Sequence, residues 1–171
     1  RGDIGNTAKA YAKAAFEDLK ADAVTLSPYM GFDSVEPFIA YKAKAAFVLC
    51  LTSNPGSIDF QKPELFKSVA QKVTEWDKKY GNLGLVVGAT NAQDIQEVRT
   101  HAPGLPFLVP GVGAQGGSVQ DVLNYGVRSK QDQVIINSSR AILYASTDAD
   151  FGTAARRATL QLRDEINSFR K

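Results

Sequence analysis

Residues 107–118 read Phe107-Leu108-Val109-Pro110-Gly111-Val112-Gly113-Ala114-Gln115-Gly116-Gly117-Ser118. A short apolar run passes through a glycine-rich loop to Ser118, which forms a capping pair with Asp121 ahead of the apolar Val122 and Leu123. Strand, loop and helix start follow one another here, and Gly126 marks the helix end. The same unit recurs along the chain. Short apolar runs stand at 23–26, 46–51, 83–87, 107–109 and 134–136. Each is too short for a helix and apolar on both faces, the pattern of parallel strands covered on both sides. Helical patterns fill the gaps. Pro63 opens one with the stripe Leu65, Phe66, Val69, Val73, Trp76, Tyr80, closed by Gly81. Asn91 caps another carrying Ile95 and Val98, and a last helix carries Ala155, Ala158, Leu162, Ile166 and Phe169. A further helical stripe, Ala8, Tyr11, Ala12, Ala15, Phe16 and Leu19, precedes the first run.

Alternation of strand and helix throughout predicts an α/β fold, a parallel sheet with helices packed outside. Strand starts lie roughly 23 to 37 residues apart, near the ~30 per unit of an eightfold (β/α) barrel. Two architectures fit. One is a complete five-stranded doubly wound sheet; the other is the last five strands, 4–8, of a (β/α)8 TIM barrel with their helices. In the second case residues 1–171 are the C-terminal portion of one barrel domain. The opening Arg1-Gly2-Asp3-Ile4-Gly5-Asn6-Thr7 is a loop entering a helix, so the strand feeding it is expected upstream of Arg1.

Composition narrows the function classes. Of 171 residues, 44% are hydrophobic and 22% charged, ordinary for a globular domain. A net charge of +2 from scattered basic residues gives no footprint for nucleic acid. No apolar stretch approaches the roughly 20 residues of a membrane span. Cys50, the single cysteine, sits in an apolar run and reads as a buried thiol. One cysteine makes no internal disulfide, which fits a reducing, cytoplasmic compartment. His101, the single histidine, stands at a helix end before Pro103 and Gly104, away from the strand ends. A His-based triad and a His-rich metal site are therefore excluded from this segment.

In either architecture function gathers beyond the carboxyl ends of the strands. The ends here are small and polar: Thr52-Ser53-Asn54-Pro55-Gly56, Gly88-Ala89-Thr90, residues 110–117, and Asn137-Ser138-Ser139-Arg140. Glycines let a backbone approach an anion and aim N–H groups at it, and the loop runs into a capped helix start. Residues 137–139 are placed to cap a short helix over 140–145. Arg140 at its mouth would pair bidentately with phosphate, and Gln115 would donate a side-chain N–H. The competing reading is a tight connection with a surface arginine. Ser53 and Asn54 precede a Pro-Gly turn and are either turn builders or readers of a polar heterocycle. Asp59, Glu64 and Asp94 read as surface or helix-start carboxylates.

These pieces, in this order, resemble the orotidine 5′-phosphate decarboxylase family, in particular its bacterial and protozoal subgroup. The resemblance rests on residues 1–7, 49–57, 109–117 and 137–140. It implies a homodimeric eightfold barrel with two shared active sites. It also implies conversion of orotidine 5′-monophosphate to uridine 5′-monophosphate and CO2 without metal or organic cofactor. The family signature is Asp-x-Lys-x-x-Asp, whose last carboxylate matches Asp3. Its lysine would stand immediately before Arg1, on an N-terminal barrel segment carrying strands 1–3. The resemblance further implies that Asp3 acts in the neighbouring subunit's site, with Ile4 and Thr7 touching substrate there. Ser53 would read the pyrimidine, and Pro110 and Val112 would line the pocket. Gln115, Gly116, Ser139 and Arg140 would hold the phosphate. Two alternatives stand beside this: a magnesium-dependent sugar-phosphate lyase or decarboxylase of the same superfamily, and a non-catalytic nucleotide-binding fragment. This segment alone is expected to be inactive, exposing two strand edges and an apolar interior.

Overall fold

The structure, a computed structural model, describes residues 2–113 and 116–169. Five strands, β1 (Ala23–Leu26), β2 (Ala45–Leu51), β3 (Leu83–Val87), β4 (Phe107–Pro110) and β5 (Val134–Asn137), form one sheet. Every pairing is parallel and the spatial order is β1-β2-β3-β4-β5. A doubly wound sheet reverses its strand order at one point to place helices on both faces. This sheet never reverses, so right-handed crossovers put every connecting helix on the same side. That is the topology of a barrel arc.

Seven helices accompany the strands among the described residues. α1 (Gly5–Lys13) comes first, and α2 (Phe32–Ile39), α3 (Leu65–Tyr80), α4 (Ala92–His101) and α5 (Val119–Gly126) form the crossovers. The single turn α6 (Arg140–Leu143) and the long α7 (Phe151–Ser168) follow β5. The caps behave as their chemistry demands. Asn91 accepts from Gln93 N at 3.0 Å, Ser118 from Asp121 N at 3.2 Å, and Gly81 ends α3 in the left-handed region.

Three local expectations need correction. Pro63 lies in the turn before α3, after a cis peptide bond to Lys62, and the helix begins at Leu65. α6 stops at Leu143, not 145, and Ser139 caps it without a side-chain hydrogen bond. In the first helical stripe Ala8, Ala12 and Phe16 are buried, but Leu19 is 79% exposed. The reason is the π-helical turn Ala14–Asp18, which adds a residue to the turn and rotates Leu19 out of register. Phe16 packs edge-on to Phe38, ring centres 6.3 Å apart, joining α1 to α2.

Alternation along the strands sorts the sheet into two faces. Val48, Cys50, Leu85, Val87, Phe107 and Val109 are buried, and they form one core with residues of α2, α3, α4 and α5. The opposite face carries Phe47, Leu49, Val86, Leu108 and Ile135, aligned by the pairs Leu49↔Val86, Val86↔Leu108 and Leu108↔Ile135. There Leu49 is 39% and Ile135 50% exposed, so the barrel-side face is apolar and open. β1 and β5 each pair with one neighbour, leaving two free edges. Both exposures match the expectation for an unclosed barrel.

At the amino ends of the strands sits a buried ion pair that sequence reasoning did not find. Arg99 on α4 donates to the carbonyls of Gly126 (2.8 Å), Ala102 (2.9 Å) and Leu105 (2.7 Å) and stacks 3.5 Å from the Phe107 ring centre. Asp132 stands 3.3 Å away and accepts from the backbone N–H groups of Gly104, Arg128 and Ser129. Burial lowers the Arg99 pKa to about 10 against the pull of Asp132. Burial also raises Asp132, but its three N–H donors and Arg99 outweigh that and leave it below the usual carboxylate value. The pair ties α4, the turn before β4 and the loop before β5 together on the face away from the site.

Candidate functional site

The carboxyl ends of β2 to β5 form a continuous rim, and its glycines show how tightly the loops meet. A Cβ on Gly88, just past β3, would lie 2.8 Å from Ser53 N and 2.9 Å from Ser53 Cβ. Only glycine lets the Ser53 loop settle onto β3. A Cβ on Gly117 would fall 2.6 Å from Ala89 Cβ and 2.8 Å from Gly111 O, so the glycine loop after β4 lies directly on the end of β3. On its other side Ser138 Oγ donates to Val112 O at 3.3 Å, and Pro110 pairs with Asn137 in the strand register. Ser53, Ala89, Pro110, Val112, Gly117 and Ser138 therefore run as one arc, with Ser139 and Arg140 at its end. Hydrogen bonds Gly88 N to Leu51 O (2.8 Å) and Ala89 N to Pro110 O (3.0 Å) stitch the arc at strand level.

The glycine loop is folded on itself. Gly113 N donates to Gly117 O, Gly116 N to Gly113 O and Gly117 N to Gly111 O, at 3.1, 2.8 and 3.2 Å. Gly111, Gly113 and Gly116 hold φ of 99°, 79° and 84°, which L side chains rarely adopt. The N–H groups of Gly113, Gly116 and Gly117 are thus engaged within the loop in this conformation. Gln115 lies outside the described residues. Arg140 is exposed at the first position of α6, and among the described residues no carboxylate holds its guanidinium. Ser139 is exposed beside it.

At the other end of the rim, Thr52 and Asn54, which flank Ser53, are held by bonds that the sequence reading passed over. Gln61 Oε1 accepts from Thr52 N at 2.7 Å, and Gln61 Nε2 donates to Thr52 Oγ1 at 2.8 Å. Thr52 Oγ1 in turn donates to Asn54 Oδ1. Next to Gln61, Lys62 Nζ bonds Asp94 Oδ2 at 2.7 Å, bracing the loop after β2 against the first turn of α4. Asp94, read as a helix-start carboxylate, also serves as this anchor. Nothing in a lone Gln-Lys dipeptide signals either bond; only the fold brings residues 52 and 61 together.

Asp3, Ile4 and Thr7 enter beside β1. A Cβ on Gly2 would lie 3.0 Å from Met30 Cε, so this segment rests against the loop that leaves β1. Asp3 Oδ1 accepts from Ile4 N at 2.9 Å, fixing the carboxylate at the start of α1. Ile4 and Thr7 are exposed there. Nearby loops after β1 and β2 present Tyr29, 81% exposed, and Phe60, 71% exposed.

One cavity adjoins the rim and another lies at the opposite end of the strands. The first, of about 310 Å³, lies behind the glycine loop, lined by Val112, Gly113, Ser118, Ser138 and Leu162 among others. The larger, about 520 Å³, is at the amino ends, between Lys42, Asn82, Gly84 and Pro106, and is the floor of the open barrel face. Among the described residues no three His, Cys, Asp or Glu side chains gather to hold a metal ion. Cys50 is buried, its Sγ–H directed at Phe66 O (3.3 Å), and burial pushes its thiol up to about 12, so it offers no nucleophile. His101 Nδ1 lies 3.1 Å from Gln71 Nε2 at the far end of α4, a structural contact.

Comparison with known proteins points to the same barrel fold. The sequence profile of the Orotidine 5′-phosphate decarboxylase / HUMPS family matches residues 1–157. An orotidine 5′-phosphate decarboxylase of Dehalococcoides mccartyi (strain CBDB1) is 48% identical over 100% of the chain and 66% of that protein. One from Paracidovorax citrulli (strain AAC00-1) is 52% identical, covering 99% of this chain and 65% of that protein. The structure of Leishmania donovani OMP decarboxylase superposes with a TM-score of 0.86 at 45% identity, covering 98% of this chain and 65% of that one. The chain thus spans just under two thirds of the length of these three relatives.

Proposed function

The chain belongs to the Orotidine 5′-phosphate decarboxylase / HUMPS family, and from that membership we propose that it carries the substrate-gripping arc of an enzyme converting orotidine 5′-monophosphate to uridine 5′-monophosphate and CO2. One observation supports this most: the rim from Ser53 to Arg140 is contiguous, with a serine at one end and, at the other, a guanidinium that no carboxylate of the described residues holds. That order of functions along the rim suits a nucleotide with its base at one end and its phosphate at the other.

The chemistry assigns the parts. Loss of CO2 leaves a carbanion-like centre on a ring that stabilises it poorly, so preorganised positive charge must stand at that carbon. We place that charge on a lysine outside residues 1–171, at the position the family signature sets immediately ahead of Arg1. It then donates the proton to the same carbon. Asp3 stands on this segment and acts in a neighbouring subunit's site, with Ile4 and Thr7 contacting substrate there. Ser53 hydrogen-bonds the pyrimidine, while Pro110 and Val112 wall the pocket. Arg140 and Ser139 bind the phosphate with Gln115 and Gly116. Binding energy collected at the phosphate then organises the reacting end. No residue in this scheme calls for a metal or an organic cofactor.

The barrel is completed by further strands along β1 and β5, whose free edges and open apolar face need covering. A second copy docks through the apolar side chains around the rim, Tyr29, Met30, Ile58 and Phe60. Among the described residues no helix is long and apolar enough to cross a membrane. Cytoplasmic residence belongs to the same proposal, supported by a cysteine content of one, which forms no internal disulfide.

The test is decarboxylation of orotidine 5′-monophosphate by the enzyme with its barrel complete, in the presence of a metal chelator. Turnover under those conditions is expected, with none from residues 1–171 alone. Turnover restricted to pentulose or hexulose phosphates with magnesium would replace the proposal with the sugar-phosphate reading.

A further inference from the structure

Gln61 belongs to no sequence motif, yet its amide holds Thr52, the residue next to Ser53, at two points. We infer that Gln61 is a positioning residue for base recognition: it fixes Thr52 and, through it, the orientation in which Ser53 meets the pyrimidine. The inference rests on the nucleotide reading proposed above.

Three restraints converge on Ser53. Upstream, Thr52 is held at two points, its N–H by Gln61 Oε1 at 2.7 Å and its hydroxyl by Gln61 Nε2 at 2.8 Å. Downstream, Asn54 is tied to that hydroxyl as acceptor. Beneath, Gly88 removes the Cβ that would otherwise meet Ser53 N at 2.8 Å. A primary amide is the side chain suited to the first task. It offers an acceptor to the N–H and a donor to the hydroxyl, whose own hydrogen goes to Asn54 Oδ1, the nearer acceptor, with Gln61 Oε1 3.2 Å away. A carboxylate supplies no donor, and an aliphatic chain supplies neither.

Gln61 is itself pinned before it acts. Its N–H donates to Ser57 O at 2.9 Å and its carbonyl accepts from Phe66 N at 3.0 Å, so the 3-10 turn Pro55–Asp59 and the start of α3 clamp its backbone. Lys62, the next residue, is anchored to Asp94 at 2.7 Å. The base-reading loop is therefore aimed from α3 and α4, rigid elements, and not by its own Pro-Gly turn. A displacement of the aiming amide changes where Ser53 points without touching the arginine end of the rim.

That separation supplies the experiment. Uridine 5′-monophosphate and ribose 5-phosphate share the sugar phosphate and differ in the base. Binding of both is measured by calorimetry on the complete enzyme and on its Gln61→Met and Gln61→Glu variants, with thermal unfolding as the check on folding. Loss of two hydrogen bonds predicts a fall of roughly ten- to thirtyfold in uridine monophosphate affinity for Gln61→Met. Ribose 5-phosphate should bind within about twofold of wild type, because its contacts are made elsewhere. Gln61→Glu, keeping the acceptor alone, should fall between. In a Ser53→Ala background, Gln61→Met should cost less than about twofold more, since the group it aims is gone. Equal losses for the two ligands, or no loss, would overturn the role, as would full additivity with Ser53→Ala. A wild-type enzyme that binds neither ligand would instead refute the nucleotide reading on which the role depends. Should Gln61→Met fail to fold, Gln61→Glu and the Ser53→Ala pair decide by the same comparison.

Discussion

Gly88→Ala probes the seat of Ser53 with one methyl group. The backbone of Gly88 is not in the left-handed region, so alanine is conformationally acceptable and the perturbation is steric. The added Cβ meets Ser53 N at 2.8 Å, Ser53 Cβ at 2.9 Å and Ser53 Cα at 3.2 Å, mostly backbone that cannot swing aside. Restoring ordinary contact requires the Ser53 loop to rise by about 0.6 Å. A ~1 Å misplacement of a positioned group costs up to about a hundredfold in rate. We therefore expect kcat/KM for orotidine 5′-monophosphate to fall by roughly ten- to a hundredfold in the complete enzyme. Stability should drop by about 1–3 kcal/mol, as for other overpacked sites. Steady-state decarboxylation and denaturant unfolding read the two effects. The matched control is Gly152→Ala on α7, where a Cβ meets nothing within 4 Å. That change should leave activity intact and stabilise by up to ~1 kcal/mol through helix propensity. Activity of Gly88→Ala within twofold of wild type, with unchanged stability, would refute the close approach of β3 to the Ser53 loop.

Arg140→Ala should weaken uridine 5′-monophosphate binding by about 1.5–3 kcal/mol, the worth of a charge-assisted hydrogen bond, measured by calorimetry; unchanged affinity would remove Arg140 from the site. Arg99→Met should cost about 3 kcal/mol or more in unfolding free energy by stranding Asp132, and a melting temperature within a degree of wild type would contradict the buried pair. Asp132 is held below its unfolded value of 3.8, so its contribution is complete above that pH and is lost as pH falls through the folded value. Asp132→Asn should therefore flatten stability against pH below about pH 4, whereas a parallel profile would refute the shift. Cys50, with its thiol raised to about 12, should resist a disulfide-exchange reagent in the native state and react on unfolding; fast native labelling would mean that it is exposed.

What the sequence showed and what it hid divide along a physical line. Strands β3 and β4 and helix α3 were legible because burial imposes period and composition locally, and the caps Asn91 and Ser118 carry their chemistry in one residue. Residue patterns left doubly wound sheet and barrel arc open, since spatial strand order is encoded by no local pattern; the family resemblance alone pointed to the barrel. Ser53 and Arg140 stood out as polar residues at strand ends. Gln61 and Gly88 did not, because each matters through a partner distant in sequence or packed across a strand. Arg99 was hidden for the same reason: three carbonyls and Asp132, distant from one another in sequence, make it a core residue, and alone it reads as a surface cation. The π-helical turn before Leu19 left no mark in an otherwise regular stripe.

A crystal structure of the complete enzyme with uridine 5′-monophosphate bound tests the central claim most directly. It should show the pyrimidine against Ser53, the phosphate on Arg140 and the glycine loop, and Asp3 of a neighbouring copy near the ring. A nucleotide lodged elsewhere, or one whose phosphate lies at the Ser53 end, would contradict it.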